Sequence, residues 1–439
     1  MKYENFLKNE VFTLLRDVAK ELGVNAYVVG GYVRDCFLGI ENKDIDIVVE
    51  GSGIEFSAAF AVKVGEKHHF YENYGTAMVR YKGIEVEFVG ARKEMYERGS
   101  RNPIVEDGTL LDDLLRRDFT INAMALSLND DFGELVDPFG GYTDLENGLI
   151  RTPGNIPNIT FSDDPLRIYR AIRFKAKLST PEKPFRYDED MYEAMGNNIG
   201  RISILTRERI TEEIVKIFSY KRSHGALEDI RDLGIWEETF RTRTDRVMIK
   251  IQLMKTIDRL WYNEGNDTLQ RLKWMAVLVP GCFTYENLEN YVRGLRLPMS
   301  YFEFMSKACD YKGLITNKPN VSDIRKTIAD VGIDIYDIIK YWHVHELTYI
   351  NCGSDKVDDF CNNINEKYKR LRFLISSMTE YIDFKCPVSG NEISEYMGIP
   401  LGPEIGEIKK RIEEGIFKGE IHNSKDGVYY WMFQNRQRI

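Results

Sequence analysis

Two textures meet in this sequence, and together they leave few folds open. Up to about residue 150, short runs of aliphatic and β-branched residues alternate with glycine turns. From Ser162 onward, long segments rich in Glu, Lys, Arg, Leu and Ile carry apolar residues at helical spacing. Strands first and helices after make an α+β chain: a mixed sheet at the N-terminus, then helices in series. Residues 5–22 read as one helix ended by Gly23. Ala26–Val29 and Asp44–Val49 read as strands around a glycine turn, and residues 78–81 and 84–89 as a hairpin turning at Lys82-Gly83. Later strand signals are confined to a short pair near residues 427–431.

Residues 153–157, rich in Pro, Gly and Asn, mark the main boundary, with weaker breaks near Gly265, residues 313–319 and residues 387–390. At 439 residues, 43% of them hydrophobic, the chain can bury its own cores without disulfides. No apolar run approaches the roughly 18 residues of a membrane span, and the N-terminus does not read as a signal peptide. The six cysteines form no C-x-x-C pair and read as reduced thiols of a cytoplasmic protein. A net charge of −9 argues against a large polyanion-coating surface, but not against a local basic groove.

The most informative segment runs Val28-Val29-Gly30-Gly31-Tyr32-Val33-Arg34-Asp35 and continues, after a short loop, with Asp44-Ile45-Asp46-Ile47. On a strand, Asp44 and Asp46 share one face, their Cα atoms about 7 Å apart, while Ile45 and Ile47 point into the core. Two such carboxylates can converge on hard cations of the kind that drive phosphoryl transfer. The N–H groups at Gly30-Gly31 lack the cover of a Cβ and can cradle a triphosphate, with Arg34 adding a charged fork. Alone, a D-x-D is more often a solvated strand edge and a Gly-Gly an ordinary turn; their order and spacing are what is specific.

G-G-x-V-R-D followed by D-x-D resembles the opening motif of the polymerase-β-like nucleotidyltransferases, in the branch of class II tRNA nucleotidyltransferases and bacterial poly(A) polymerases. Further segments strengthen the likeness. Arg116-Arg117-Asp118-Phe119-Thr120-Ile121-Asn122-Ala123-Met124-Ala125 is similar to the R-R-D-F-T-I-N-A-M-A motif, and Asp137-Pro138-Phe139-Gly140-Gly141 opens a segment similar to a hinge motif. Asp163-Asp164-Pro165-Leu166-Arg167 resembles E-D-x-x-R, with Asp163 standing where the family usually has Glu. Residues 206–213 resemble the helical motif that follows, expected as scaffolding.

The resemblance implies an N-terminal nucleotidyltransferase head (1–152), a helical neck with a nucleotide-template helix (153–224), a helical body (225–386) and a helical tail (387–439) that contacts tRNA. It implies addition of C, C and A to tRNA 3′ ends from CTP and ATP. The alternatives are a poly(A) polymerase, a CC- or A-adding enzyme, or a catalytically silent RNA-binding protein. Asp44 and Asp46 would hold Mg²⁺ in a two-metal site, with Glu87 either a third acid or an outward-facing strand residue. Gly30, Gly31, Arg34, Arg117, Asp118 and Asn122 would bind the nucleotide's sugar and phosphates.

Asp164 and Arg167, with Arg170 and Arg173, would read the base. An acceptor and a donor one helical turn apart match the amine and ring nitrogen shared by cytosine and adenine, and mismatch guanine and uracil. The segment 161–174 reads as a helix whose first turn contains Pro165, with Asp164 as N-cap, and Arg173 points well away from Asp164. A polar loop at residues 96–103 accompanies the switch from C to A in the family. The His-Asp pair of an HD phosphohydrolase domain is missing, with the apolar run 274–279 in its place, so the body is expected to be HD-like without a metal site.

Overall fold

The computed structural model describes residues 2–72, 75–95, 104–154, 156–261, 263–282, 284–312, 319–350 and 357–436. The chain divides into two compact units, Met1–Thr239 and Phe240–Ile439.

The first unit begins with a 3₁₀ turn (Glu4–Leu7) and α1 (Glu10–Leu22). The single helix expected over 5–22 is broken because the Asn9 side chain accepts from Val11 N at 3.1 Å, capping a fresh start. Gly23, at φ 64°, ends it as expected. There follow β1 (Ala26–Val29), α2 (Gly31–Phe37), β2 (Asp44–Val49), α3 (Gly53–Val64), β3 (His68–Tyr71), β4 (Thr76–Tyr81) and β5 (Ile84–Gly90). Lys82 (φ 49°) and Gly83 (φ 80°) make the tight turn between β4 and β5. A separate ribbon, β6 (Arg92–Met95) with β7 (Ile104–Asp107), flanks residues 96–103. The loop expected there lies outside the described residues.

Next come α4 (Leu110–Leu115), β8 (Ala125–Ser127), β9 (Leu135–Val136), α5 (Gly141–Glu146), β10 (Leu149–Ile150), α6 (Pro157–Asp163), α7 (Leu166–Leu178), β11 (Arg186–Tyr187), α8 (Glu189–Asn197), α9 (Arg207–Phe218) and α10 (Ser223–Asp232). The helix expected to start at Pro165 is α7, and residues 161–163 ahead of it end a separate helix, α6. Asp164 leaves the helical region at φ −135°, and its side chain accepts from Leu166 N at 3.1 Å, so α7 starts anew beyond Pro165. The N-cap position of α7 is Pro165 rather than Asp164, which ends α6 and reaches forward to the first N–H of α7 with its side chain.

The head is a seven-stranded mixed sheet in the order β3-β4-β5-β2-β1-β8-β9. Central β2 runs parallel to β5 and antiparallel to β1. Strand alternation divides β2 as expected: Ile45 and Ile47 are buried, beneath a layer where Phe56 and Phe60 of α3 pack on Phe88 with ring centroids 5.7 and 5.6 Å away. Burying each such aromatic contributes roughly 1.5–3 kcal/mol. The opposite face carries Asp44 and Asp46 and turns apolar at Val48, where Leu110 and Leu114 of α4 cover it together with Val29 and Ala123. That packing brings the end of α4, and the arginines after it, to the edge of the carboxylates.

The described part of the second unit is helical. Val247–Leu260, Asn266–Leu278 and Ile335–Ile350 pack on one another and bury Leu253, Leu272, Trp274 and Tyr341. The run 274–278 is wholly buried, and beside it Lys273 pairs with Asp258 at 3.0 Å. The strand pair expected near residues 427–431 is instead a helix, Lys425–Asn435. Val428, Tyr429, Tyr430 and Trp431 favour strands locally, but the Ser424 side chain accepts from Gly427 N, and Val428 and Met432, one turn apart, are both buried. Among the described residues no helix is long and apolar enough to cross a membrane.

Candidate active site

A cleft of about 500 Å³ opens where the head meets α7, and its lining joins residues far apart in sequence. It holds Gly31, Arg34, Asp46, Arg117, Asp118, Asn122, Asp164, Arg167, Arg170 and Arg173 of the expected set, together with Arg116, Phe174, Lys177 and Arg209. Its cations outnumber its three carboxylates, Asp46, Asp118 and Asp164, although the chain as a whole carries −9. Such a local reversal of sign suits a polyphosphate.

At one wall the Cα atoms of Asp46 and Glu87 are register partners across β2 and β5, as are those of Asp44 and Glu85. Adjacent strands lie about 4.8 Å apart, so acidic side chains crowd this face. Burial, then Asp44 and Asp113, push the Asp46 carboxyl above the ordinary range, while Arg117 opposes them. Glu87 stands on the solvent side of β5, and partial burial followed by Asp46 and Glu85 raises it too, against Arg92. An all-oxygen cluster with excess negative charge fits a hard divalent cation. Among the described residues no three His, Cys, Asp or Glu side chains gather closely enough to hold a metal by themselves. A cation here would complete its shell with water and substrate phosphate, as Mg²⁺ commonly does.

These shifts set a sign for stability. A carboxyl held above its unfolded value keeps its proton where the unfolded chain has lost it, so its contribution is complete at low pH. It is lost as pH rises from the ordinary carboxylate pKa, about 4, through the raised one. Asp46→Asn is therefore expected to raise the melting temperature at pH 7 in chelator and to change it little below pH about 4. A lower melting temperature at pH 7 would contradict the charge crowding.

Gly30 is held at φ 71° and ψ −126°, a conformation that favours glycine. A Cβ there would stand 2.6 Å from Arg117 Nη1 and 3.6 Å from Asp46 Oδ2, so a side chain at this turn would crowd the space that both groups border. Asp113, wholly buried on α4, aims both arginines. Its Oδ2 accepts from Arg117 Nε and Nη2 at 3.1 and 3.0 Å, and its Oδ1 from Arg116 Nε at 3.0 Å. Sequence reading passed over Asp113, although Thr109-x-x-Asp112 is a capping box that assigns Asp112 to the helix start and turns its neighbour inward.

Arg34 is buried and already engaged: it donates to Asp35 Oδ1 through Nε at 2.8 Å and to Asn122 Oδ1 through Nη1 at 2.6 Å. Asn122 Nδ2 donates to Asp118 Oδ1 at 2.9 Å, and Arg170 Nε donates to Asp118 Oδ2 at 2.7 Å. One chain of bonds thus runs from α2 through Asp118 to α7.

Asp164 and Arg167 line the cleft side by side. Asp164 Oδ2 accepts from Arg209 Nη2 of α9 at 3.1 Å, and Arg167 Nη2 donates to the Arg116 carbonyl at 2.6 Å. A carboxylate has about four acceptor sites and a guanidinium five donors, so both keep capacity for a base. Arg173 is bound to buried Glu213 at 2.6 Å and is not grouped with that pair. Arg209 falls in the segment read as scaffolding, where its i+3 and i+4 neighbours gave no sign of the contact. In the segment read as a hinge, Asp137 accepts from Gly141 N and Tyr142 N at 2.7 and 2.9 Å, a tight turn capping α5.

Residues 26–151 match the model of the poly A polymerase head domain, and residues 184–244 that of a probable RNA and SrmB-binding site of polymerase A. The A-adding tRNA nucleotidyltransferase of Geobacter sulfurreducens is 38% identical over 96% of this chain, which spans about half of that protein's length (46%). The A-adding tRNA nucleotidyltransferase of Halalkalibacterium halodurans is 31% identical over 63% of this chain and 67% of its own. A solved CCA-adding enzyme in an apo form superposes with a TM-score of 0.74 at 25% identity, over 99% of each chain. Sheet, cleft and motifs agree with these likenesses, and the chain belongs to the family of class II tRNA nucleotidyltransferases and bacterial poly(A) polymerases.

Proposed function

We propose that the protein adds C, C and A to the 3′ end of tRNA, using CTP and ATP and releasing pyrophosphate, as a cytoplasmic enzyme. The observation that carries this is the shared cleft: Asp46 of the acidic sheet face and the Asp164/Arg167 pair of α7 line one hollow. A nucleotide whose base met α7 would bring its phosphates past Arg117 toward the carboxylates.

The tRNA 3′-hydroxyl attacks the α-phosphate, and pyrophosphate leaves. Asp44 and Asp46 would hold Mg²⁺, which supplies an acidified hydroxyl and neutralises phosphate charge, with Glu87 alongside. Arg117, aimed by Asp113, grips phosphate; Gly30 and Gly31 leave the turn open to it, and Arg34 adds positive charge. Asp118 and Asn122 set the sugar's wall. Asp164 accepts from the exocyclic amine of C or A, and Arg167 donates to the adjacent ring nitrogen; G and U present the reverse order. Arg170 holds α7 to the head through Asp118, and Arg173 holds it to α9 through Glu213. Residues 225–386 would form a body of HD-like descent, and residues 387–439 a tail that contacts the tRNA.

A second reading, addition of the terminal A alone, is favoured by the names of the two relatives above. Three tRNA substrates, lacking CCA, CA or A, each incubated with every NTP separately, test both. Full addition extends all three with C or A in turn; an A-adder extends only the last, with ATP. Long A tracts would indicate a poly(A) polymerase, and no labelling of any substrate would sink the enzyme reading. Within this reading, Arg167→Ala is expected to cut discrimination of C and A against U and G by about tenfold to a hundredfold, the 1–3 kcal/mol of a paired base contact. Misincorporation assays check it, and unchanged selectivity would count against a template made of protein.

A further inference from the structure

The cleft extends past the residues used so far, to the C-terminal end of α7. Arg170, Phe174 and Lys177 occupy positions i, i+4 and i+7, one stripe of the helix facing the cleft. Seven residues at 1.5 Å each place Lys177 about 10 Å beyond Arg170 along the axis. There it meets α2: its Nζ lies 3.6 Å from Asp35 Oδ2, in the residue beside Arg34. The guanidinium of Arg34 in turn lies over the Phe174 ring, 5.1 Å from its centroid. The base pair of contacts, Asp164 and Arg167, stands at the opposite end of the same helix.

The cations at this far end are unequally satisfied. Arg34 is clasped by Asp35 and Asn122, and Arg173 by Glu213. Among the described residues, the ion-pair partner of Lys177 is Asp35 at a longer 3.6 Å, and that Oδ2 already accepts from Asn42 Nδ2 at 3.0 Å. A charge-assisted bond of full strength is nearer 2.8 Å. We propose that Lys177 binds the terminal phosphates of the incoming nucleoside triphosphate, and the pyrophosphate that leaves, so that α7 reads the nucleotide from base to last phosphate. This rests on the function proposed above.

Electrostatics supports it from a second side. Burial, then Arg34, pull the Lys177 ammonium below its ordinary pKa, with Asp35 acting against them and Arg173 adding to them. A lysine held half-buried beside arginines costs stability until an anion arrives. A flexible stem carrying a compact charge also suits a phosphate that must leave after each cycle, more than a rigid bidentate fork would.

Lys177→Met keeps the length and apolar stem of the side chain and removes its charge; Lys177→Arg keeps the charge. For Lys177→Met, the KM for both CTP and ATP is expected to rise about tenfold or more, as for loss of a hydrogen bond to a charged group. The inhibition constant of pyrophosphate should rise by the same factor. Affinity for CMP, which lacks the terminal phosphates, and the choice of C and A should stay unchanged, and Lys177→Arg should recover most of the loss. Pyrophosphate inhibition equal to the parent's, or an equal loss of CMP affinity, would overturn the assignment, because a merely structural role moves every ligand alike. Calorimetric titration with pyrophosphate needs no incorporation. Weakened binding in Lys177→Met beside an inactive parent would leave this assignment standing and remove the transferase reading.

Discussion

Asp46→Ala is expected to lower incorporation of CTP and ATP into tRNA by about a thousandfold or more, while tRNA affinity changes less than about twofold. In the proposed mechanism several kcal/mol of charge stabilisation at the reacting phosphate would depend on a cation held there, and each 1.4 kcal/mol is a factor of ten in rate. Asp46 is the residue on which that proposal most directly rests. It sits on the central strand between β1 and β5, faces the cleft and lies beside the bare turn at Gly30. The backbone of β2 is fixed by pairing on both sides and by buried Ile45 and Ile47, so the substitution would remove the proposed ligand without loosening the strand. Asp46→Asn, which keeps shape and loses charge, should be nearly as inactive yet more stable at neutral pH; chelation of divalent ions should match it in effect. Single-turnover labelling with tRNA binding measured in parallel checks the pair, and residual turnover near the parent rate would refute the metal assignment.

The acidic face was legible because a strand has a period of two: once Ile45 and Ile47 are assigned to the core, Asp44 and Asp46 have nowhere else to point. The turn at Gly30 was legible for a similar reason, since two adjacent glycines after a strand leave the backbone open. The partners that aim the site were harder to find. Asp113 lies within Leu-Leu-Asp-Asp-Leu-Leu, a pattern that marks a helix but leaves open which aspartate turns inward; the capping box at Thr109 decides it. Lys177 could have been reached by carrying the cleft-facing stripe of α7 one step past Phe174. Arg209 could not, because its contact with Asp164 depends on how α9 packs against α7, which no local spacing encodes. Local preference also misled at both ends of the chain. Asn9 interrupts a helical period without disturbing it, and the aromatic run at 428–431 is helical because burial of Val428 and Met432 outweighs strand propensity.

Asp118→Ala is expected to cost about 3–5 kcal/mol of stability, the range for removing one partner of a buried ion pair. Asp118 was read from its motif as a group that holds the sugar, but in the structure both of its oxygens are already accepting. Oδ1 takes Phe119 N and Asn122 Nδ2, each at 2.9 Å, and Oδ2 takes Arg170 Nε and Nη2 at 2.7 and 2.6 Å. Burial acts to raise its pKa, yet the charge of Arg170, the bond from Asn122 and the charge of Arg167 together bring the carboxyl below its usual range. A carboxylate depressed in the folded state contributes stability that is present above its unfolded pKa, about 4, and lost as pH falls through the folded value. The variant should therefore lose most at neutral pH, and its deficit should shrink in acid. Because Arg170 belongs to α7 and Asp118 to the head, the same substitution frees the helix that carries Asp164 and Arg167, so base selection should degrade together with stability. Asp118→Asn retains an acceptor for Phe119 N but leaves Arg170 without its anion, and should recover only a minor part of either loss. Urea unfolding at pH 7 and pH 4, with misincorporation measured at a temperature where the variant is folded, checks both. A variant as stable as the parent, or one that is unstable yet selects C and A as before, would show that Asp118 does not join the head to its template helix.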